Sequence, residues 1–380
     1  MKKALILSLK NPWRKNKIGG SQDILGRVLA ISRLGYETDI IAIDNEDQLQ
    51  YDKKSIPDNV NLLLFKKEKN LLKCLKYPFA TSSRFQKNVI NFLSNKIYDI
   101  AICETEFLYP YWKKGYVNAK HNYLRMHNIE SNYYLELVKA EKNKLKSIIY
   151  SFDSFRLRIN EKKGFPEFEK LLFISEREME QFKQTEKKFY LPASFPLYST
   201  KMSANIVNNN NEFLIFGDFT LDINKNGLFW FIEKVWPILL KENSNLRLIL
   251  AGNGSETFKD KPNTIALGYV QDIDKLFDQV QIVLIPLLEG AGVKIKLVEA
   301  LLRKKTIITT SKGVEGTSLV DGEHLFVCDD YESFANKCLY AINNIKKACD
   351  IANNGYEYAK KFHSIEAQMR FLENLFNKKC

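Results

Sequence analysis

The chain has 380 residues, 45% hydrophobic and 12% aromatic, which is more than one core usually takes and ample for two packed domains. Its 57 basic residues against 45 acidic ones give a formal charge of +12 and a pI near 9.1, a balance that suits phosphates or anionic lipid surfaces, while the lack of any RNA-recognition, zinc-finger or helix-turn-helix signature argues against nucleic acid. No apolar run approaches the ~20 residues needed to span a bilayer, and the six cysteines, Cys74, Cys103, Cys328, Cys338, Cys349 and Cys380, show no CxxC spacing, so reduced thiols are expected rather than a zinc site or a disulfide framework.

The opening MKKALILSLKNPW has too short an apolar core for a signal peptide and reads as a first strand, Lys3 to Ser8, so a cytoplasmic protein is expected. Gly19 and Gly20 follow, then a helical pattern from Ser21 to Leu34 and a strand from Thr38 to Ile43. The runs LFKKEKNLLKCLKYPF and VKAEKNKLKSIIYSFDSFRLRINEKKGF mix lysines with apolar and aromatic residues. They read either as peripheral contacts with the inner face of an anionic membrane or as ordinary solvated faces of a lysine-rich protein. The stretch from Lys66 to Phe92 carries no motif. His127 follows the strand YLRM and precedes Asn128 and Glu130, at a strand end where ligands of α/β sheets collect; His121, His324 and His363 have no such setting.

Two prolines and an asparagine run in LPASFPLYSTKMSANIVNNNNEF mark a linker at 198–211 between domains at 1–197 and 212–360, with a terminal helix at 361–380. Beyond the linker, short apolar strands alternate with helices again, as in parallel α/β sheets. A strand ends at Gly217, a helix begins near Asn226, and Leu246 to Leu250 runs into Gly252 and Gly254. The segment LIPLLEGAGVKIKLVEA then gives a strand, Ile282 to Ile285, a turn after Pro286, and a helix from Lys294 to Leu302. Gly290 and Gly292 let backbone approach a ligand, and the first N–H groups of the new helix point out with the positive end of its dipole. A diphosphate fits that demand, with Lys294 and Lys296 as added cations and Glu299 spaced to meet ribose hydroxyls. From the glycines alone, a plain strand–turn–helix with solvated lysines explains the pattern equally well.

The following residues, IITTSKGVEGTSLVDGEHLFVCDDYESFANKC, read as strand, Gly-rich loop, short strand at Leu325 to Val327, acidic turn and helix. Pro286 to Lys337, with P-x3-G-x-G-x-K-x-K-x2-EA, then TT-x2-G-x-EG, DG, D and FA, resembles the carboxy-terminal domain of group 1 (family 4) glycosyltransferases. Upstream, FGDFTLDINKNGLFWFIEKVWPILLKENSNLRLILAGNG resembles the opening of that domain, and IALGYVQDIDKLFDQVQIVLIP its base-reading segment around Gly268, Tyr269 and Val270. KKALILSL with Gly19-Gly20 resembles the family's first strand and glycine loop, and LRMHNIES its strand-end histidine segment.

The resemblance implies an α/β fold of two Rossmann-like domains with parallel sheets facing across a cleft (GT-B), the terminal helix crossing back onto the amino-terminal domain. It implies a retaining glycosyltransferase of hexosyltransferase type that moves a sugar from a nucleotide-diphosphate-sugar to a hydroxyl of a glycan or lipid-linked acceptor, in surface polysaccharide synthesis, with no cofactor and no metal. The donor would be held by Gly19, Gly20, Gly217, Gly268, Tyr269, Val270, Gly290, Ala291, Gly292, Val293, Lys294 and Glu299. His127, Lys225, Lys296 and Glu289 would act at the transferred sugar and the leaving phosphate. Two departures stand out. Glu289 and Glu299 are separated by nine residues where many members have seven, so that Ala291 occupies the ungapped position, and DINKNG offers Lys225 but no matching arginine. A nucleotide-sugar epimerase of the same fold and a catalytically silent nucleotide-sugar-binding scaffold stay open as alternatives.

Overall fold

The computed structural model describes residues 1–14, 19–46, 51, 53–68, 71–141, 143–196, 211–290 and 292–377. Two compact units emerge, one from Met1–Pro196 with Ile365–Cys380 and one from Leu197–Ser364. The linker expected at 198–211 lies, apart from residue 211, outside the described residues, and the return to unit 1 falls at Ile365, four residues beyond the boundary read from sequence.

Unit 1 is built on strands β1 (Lys3–Ser8), β2 (Glu37–Asp44), β3 (Val60–Lys66), β4 (Tyr98–Cys103), β5 (Ala119–Met126), β6 (Lys170–Phe173) and β7 (Lys188–Tyr190). They form a seven-stranded parallel sheet in the order β3-β2-β1-β4-β5-β6-β7. Leu5 and Leu7 pack into one face and Ala4 and Ile6 into the other, the two-sided burial of a sheet covered by helices. Those helices are α1 (Gly19–Arg33), α2 (Leu71–Cys74), α3 (Phe79–Ser82), α4 (Lys87–Leu93), α5 (Pro110–Lys113), α6 (Glu130–Ala140), α7 (Lys144–Lys162) and α8 (Glu176–Gln181).

Unit 2 carries β8 (Glu212–Phe216), β9 (Arg247–Ala251), β10 (Thr264–Ala266), β11 (Ile282–Ile285), β12 (Thr306–Thr309) and β13 (Phe326–Val327), parallel in the order β10-β9-β8-β11-β12-β13. Its helices are α9 (Asp222–Trp230), α10 (Trp236–Glu242), α11 (Ile273–Gln279), α12 (Ile295–Leu302), α13 (Tyr331–Asn343) and α14 (Ile345–His363). Phe213, Trp236, Leu248, Leu284 and Phe334 fill one core. The last helix, α15 (Ile365–Asn377), belongs to unit 1: Leu372 and Leu375 enter its core, Phe376 lies 5.8 Å from the rings of Tyr36 and Tyr123, and Glu366 pairs with Arg33 at 3.0 Å.

The strand order reverses between β1 and β4 in unit 1 and between β8 and β11 in unit 2. Sheets of this kind bind ligands beyond the carboxyl ends of the strands at such points, because the connections there diverge to opposite faces. Glu104 and α1 flank the first point; Gly217 and the turn after Pro286 flank the second.

Candidate functional site

In unit 2 the first turn of α9 is drawn against the loop between β11 and α12. Gly227 makes this approach possible: a Cβ there would collide with the carbonyl oxygen of Pro286. Asn226 Nδ2 donates to Glu289 Oε1 at 3.0 Å, Lys296 Nζ donates to Asn224 Oδ1 at 2.9 Å, and Asn224 Nδ2 donates to the Asp218 carbonyl at 2.8 Å. Gly290, at φ +109°, has its Cα against Ile223, in a backbone region that side chains rarely adopt. Thr309 Oγ1 donates to the Ile285 carbonyl at 2.8 Å and Thr310 Oγ1 to that of Leu287, fixing where the loop leaves the sheet.

The floor continues mainly through backbone. Gly217 N–H donates to the Ala251 carbonyl at 3.0 Å, Gly252 N–H to the Gly268 carbonyl at 2.7 Å, and Gly268 N–H to the buried Ser255 hydroxyl at 2.9 Å. Gly217, the segment at Gly268, Tyr269 and Val270, and the turn at Gly290 therefore border one surface at the switch point. Tyr269 is exposed, Val270 half-buried, and the Glu256 carboxylate lies against Gly268.

Three features make this surface receptive to an anion. Lys294 is the N-cap residue of α12, whose first N–H groups lack intrahelical partners. Lys294 is buried with Nζ donating to the Gly292 carbonyl at 2.6 Å, and Lys296 is half-buried. Burial lowers both ammonium groups: Lys294 to about 8, with Glu315 partly offsetting, and Lys296 to about 7, with Lys294 adding repulsion. Two cations held against desolvation are what an incoming diphosphate relieves. Glu299 lies one turn further in, its Oε1 3.1 Å from Arg303, whose guanidinium stacks 4.5 Å from the Phe277 ring and also reaches Asp274. Val293 is half-buried beside Gly316.

Some expected residues stand elsewhere. Lys225 is exposed, with Nζ 5.8 Å from the Phe229 ring centre, turned along α9 rather than into the loop. Ala291 lies outside the described residues. Gly19 and Gly20 are the first two residues of α1 instead of a loop, so what they offer is a helix start.

In unit 1, His127 follows β5 and is half-buried, its Nε2 3.7 Å from Glu104 Oε2. Behind it lies a charge network that the sequence reading missed. Arg27 is fully buried and binds Glu104 through Nε and Nη2, both at 2.7 Å, and Asp23 at 2.8 Å. Arg125, also fully buried, holds Asp23 at 3.0 Å, and the Ser194 N–H donates to Asp23 at 2.9 Å. Burial pushes the Glu104 carboxyl up, but Arg27 and then His127 override it and hold it at about 2; Arg125 and Arg27 hold Asp23 down in the same way. Asp23, Glu104 and His127 place ligand atoms within 4.8 Å of one another, the spacing of a metal set. Both carboxylates are already bound to guanidinium groups, so the cluster is a compensated ion-pair network that anchors His127. The Asp23–Arg27 spacing on α1 was visible in sequence, but such pairs usually mark a solvated helix face.

The family model described as "Glycosyl transferases group 1" matches residues 210–344, the span that holds this loop, α12 and the Gly217 and Gly268 backbone. The chain carries a group 1 glycosyltransferase domain. It is also similar to an uncharacterized 44.6 kDa protein in the cps region of Klebsiella pneumoniae, 29% identical over 379 residues that cover 95% of this chain and 96% of the relative. Among solved structures it resembles TarM with a TM-score of 0.69 at 13% identity, covering 100% of this chain and 99% of that one. Anabaena HepE in complex with UDP and glucose aligns at 0.68 and 15% identity over 100% of both chains. WaaG, a glycosyltransferase involved in lipopolysaccharide biosynthesis, aligns at 0.68 and 15% over 99% of this chain and 100% of that one. These alignments show the GT-B glycosyltransferase fold, with its two parallel α/β sheets.

Proposed function

We propose that this chain is a retaining glycosyltransferase of hexosyltransferase type. It takes a sugar from a nucleotide-diphosphate-sugar, needs no metal, and serves surface polysaccharide or lipid-linked glycan synthesis on the cytoplasmic side of the membrane. The observation that supports the reading is the meeting of Lys294, Lys296 and the start of α12 with the loop that follows β11 and the first turn of α9, with Glu299 further along the same helix. In the transfer, the bond from the anomeric carbon to the phosphate oxygen breaks and one from that carbon to the acceptor oxygen forms. The acceptor's proton passes to the departing diphosphate or to solvent, and negative charge grows on the departing diphosphate as its bond breaks. Cations and helix N–H groups already in place favour that charge more in the transition state than in the ground state. Glu299 would bind ribose, Gly268 to Val270 the base through backbone, and Lys225 would turn in to the phosphate. Glu289, tied to Asn226, would face the sugar, and His127, anchored by Glu104, would stand beside it.

The relatives' names support the setting: HepE was solved with UDP and glucose, a TarM mutant with fondaparinux, alpha-GlcNAc-glycerol and UDP, and the Klebsiella relative is encoded in a cps region. Release of nucleotide diphosphate from a panel of UDP-, GDP- and ADP-sugars, with and without EDTA, tests the proposal. Turnover with one donor, unchanged by EDTA, is expected. Donor binding without turnover under any acceptor mixture would favour a silent binder, and loss of turnover in EDTA would overturn metal independence.

A further inference from the structure

Helix α7 presents an apolar stripe to solvent. Leu145, Ile148, Ile149, Phe152, Phe155 and Ile159 are all exposed, Leu145 at 73%, Phe155 at 64% and Phe152 at 59%. At 3.6 residues per turn they fall within an arc of about 120°, while Ser154, Leu157 and Glu161 on the opposite side are buried. The exposed charged residues of α7, Lys144, Lys146, Arg158 and Lys162, are all basic, and its two acids, Asp153 and Glu161, are buried. A solvated helix would carry its cations where the phenylalanines stand.

The stripe does not end with α7. Leu72 and Leu75, at 80% and 79% exposure, and Phe79 extend the apolar surface from the segment around α2 and α3. Buried or half-buried polar groups of α7 fasten that segment in place. Arg156 Nη1 donates to the carbonyls of Cys74 at 2.8 Å and Tyr77 at 2.9 Å, Arg156 Nη2 to that of Leu75 at 3.1 Å, and Phe79 N–H donates to Asp153 Oδ2 at 2.8 Å. Two pieces of chain, some eighty residues apart, are thus hydrogen-bonded into one apolar face with a basic rim.

We infer that this face of unit 1 docks in the plane of an anionic lipid bilayer, α7 lying along the interface with its phenylalanines among the acyl chains and its lysines at the head groups. Helices with an apolar face, a cationic rim and low overall hydropathy bind membranes in this way, and each basic residue near an anionic leaflet adds attraction. The described residues contain no helix long and apolar enough to cross a membrane, so contact rests on this surface. A second copy is the weaker occupant: two-fold pairing would set a rim of one charge sign against itself, whereas phosphate head groups neutralise it.

Cosedimentation with vesicles of phosphatidylcholine alone, or mixed with phosphatidylglycerol, tests the inference. The protein is expected to pellet with the mixed vesicles, less so as salt rises, and to stay in solution with phosphatidylcholine. The variant Ile148→Glu/Phe152→Glu/Phe155→Glu changes only exposed residues and should lose about tenfold or more in partitioning. Lys144→Glu/Lys146→Glu/Lys162→Glu should bind weakly and without salt dependence. Circular dichroism and nucleotide affinity, expected unchanged, show that both variants are folded and keep the membrane question apart from the transferase reading. Wild-type protein that ignores anionic vesicles, an apolar-stripe variant that binds them as well as wild type, or self-association in sedimentation velocity that the same variant abolishes would each overturn the inference.

Discussion

Lys296 Nζ donates to Asn224 Oδ1 at 2.9 Å, joining the first turn of α12 to the first turn of α9. The same Asn224 donates to the Asp218 carbonyl, so the cation is held by a side chain whose own orientation is set by the loop after β8. A lysine so placed is kept extended toward the switch point although burial disfavours its charge.

Nucleotide affinity should therefore depend on pH. The free protein holds Lys296 at about 7 and Lys294 at about 8, and a bound diphosphate raises both. Well below pH 7 both are charged and add no pH dependence. Above it, binding must take up protons, and affinity falls steeply, about a thousandfold by pH 9 where the diphosphate keeps both ammonium groups charged. Calorimetry in buffers of different ionisation enthalpy should show proton uptake at pH 8. Lys296→Arg should flatten the profile, because guanidinium stays charged.

Glu299→Ala should weaken nucleotide binding by about ten- to a hundredfold, the range of a lost charged hydrogen bond. Its melting temperature should stay close to that of wild type, since Glu299 is partly solvated and Arg303 retains Asp274 and the Phe277 ring. Unchanged nucleotide affinity would remove the ribose assignment.

His127→Ala should lower transfer about a hundredfold with nucleotide affinity intact. Glu104→Gln should also destabilise unit 1, by about 3 kcal/mol, because it leaves the buried Arg27 short of one negative partner. Equal turnover in His127→Ala would make that histidine purely structural.

A second pH effect belongs to stability. Glu130, at the start of α6, is raised to about 7 by burial and then by Glu161 and Glu178, with Asn128 partly offsetting. Nearby, Glu106 is buried with neither carboxylate oxygen hydrogen-bonded among the described residues, and burial raises it as well. A carboxyl raised on folding binds more protons in the native state, so its stabilisation is complete below about 4.5 and is lost as pH rises through 7. Thermal unfolding from pH 4.5 to 7.5 should show the melting temperature falling by several degrees, and Glu130→Gln should flatten that slope.

Much of the fold was legible because both sheets are buried on two faces and write continuous apolar runs: Lys3–Ser8 and Ile282–Ile285 match the sequence reading to the residue. The turn and helix start around 290–296 were legible because glycines after an apolar strand mark a turn and the apolar periodicity that follows marks a helix. Gly19 and Gly20 were placed in a loop by the family resemblance, yet at the first turn of a helix the cost of glycine is small and the packing of α1 prevails. Asn226 was read only as marking a helix start, since an asparagine there ordinarily signals capping, whereas α9 begins at Asp222 and carries Asn224 and Asn226 within its first turns. The Asp23–Arg27–Glu104–Arg125 network was illegible for a different reason: its members are scattered along the chain and meet only through the sheet order. The apolar stripe of α7 was seen only as composition, because which face of an amphipathic helix meets solvent is decided by its neighbours.

Thermal shift of the full chain with UDP, GDP, ADP and their sugar conjugates, without added metal, tests the central claim most directly, since a ligand that binds only the folded state raises the melting temperature. A rise with one nucleotide that is lost in Glu299→Ala is the predicted result. No rise with any of them, or a rise that Glu299→Ala leaves intact, would contradict a nucleotide-diphosphate site at the start of α12.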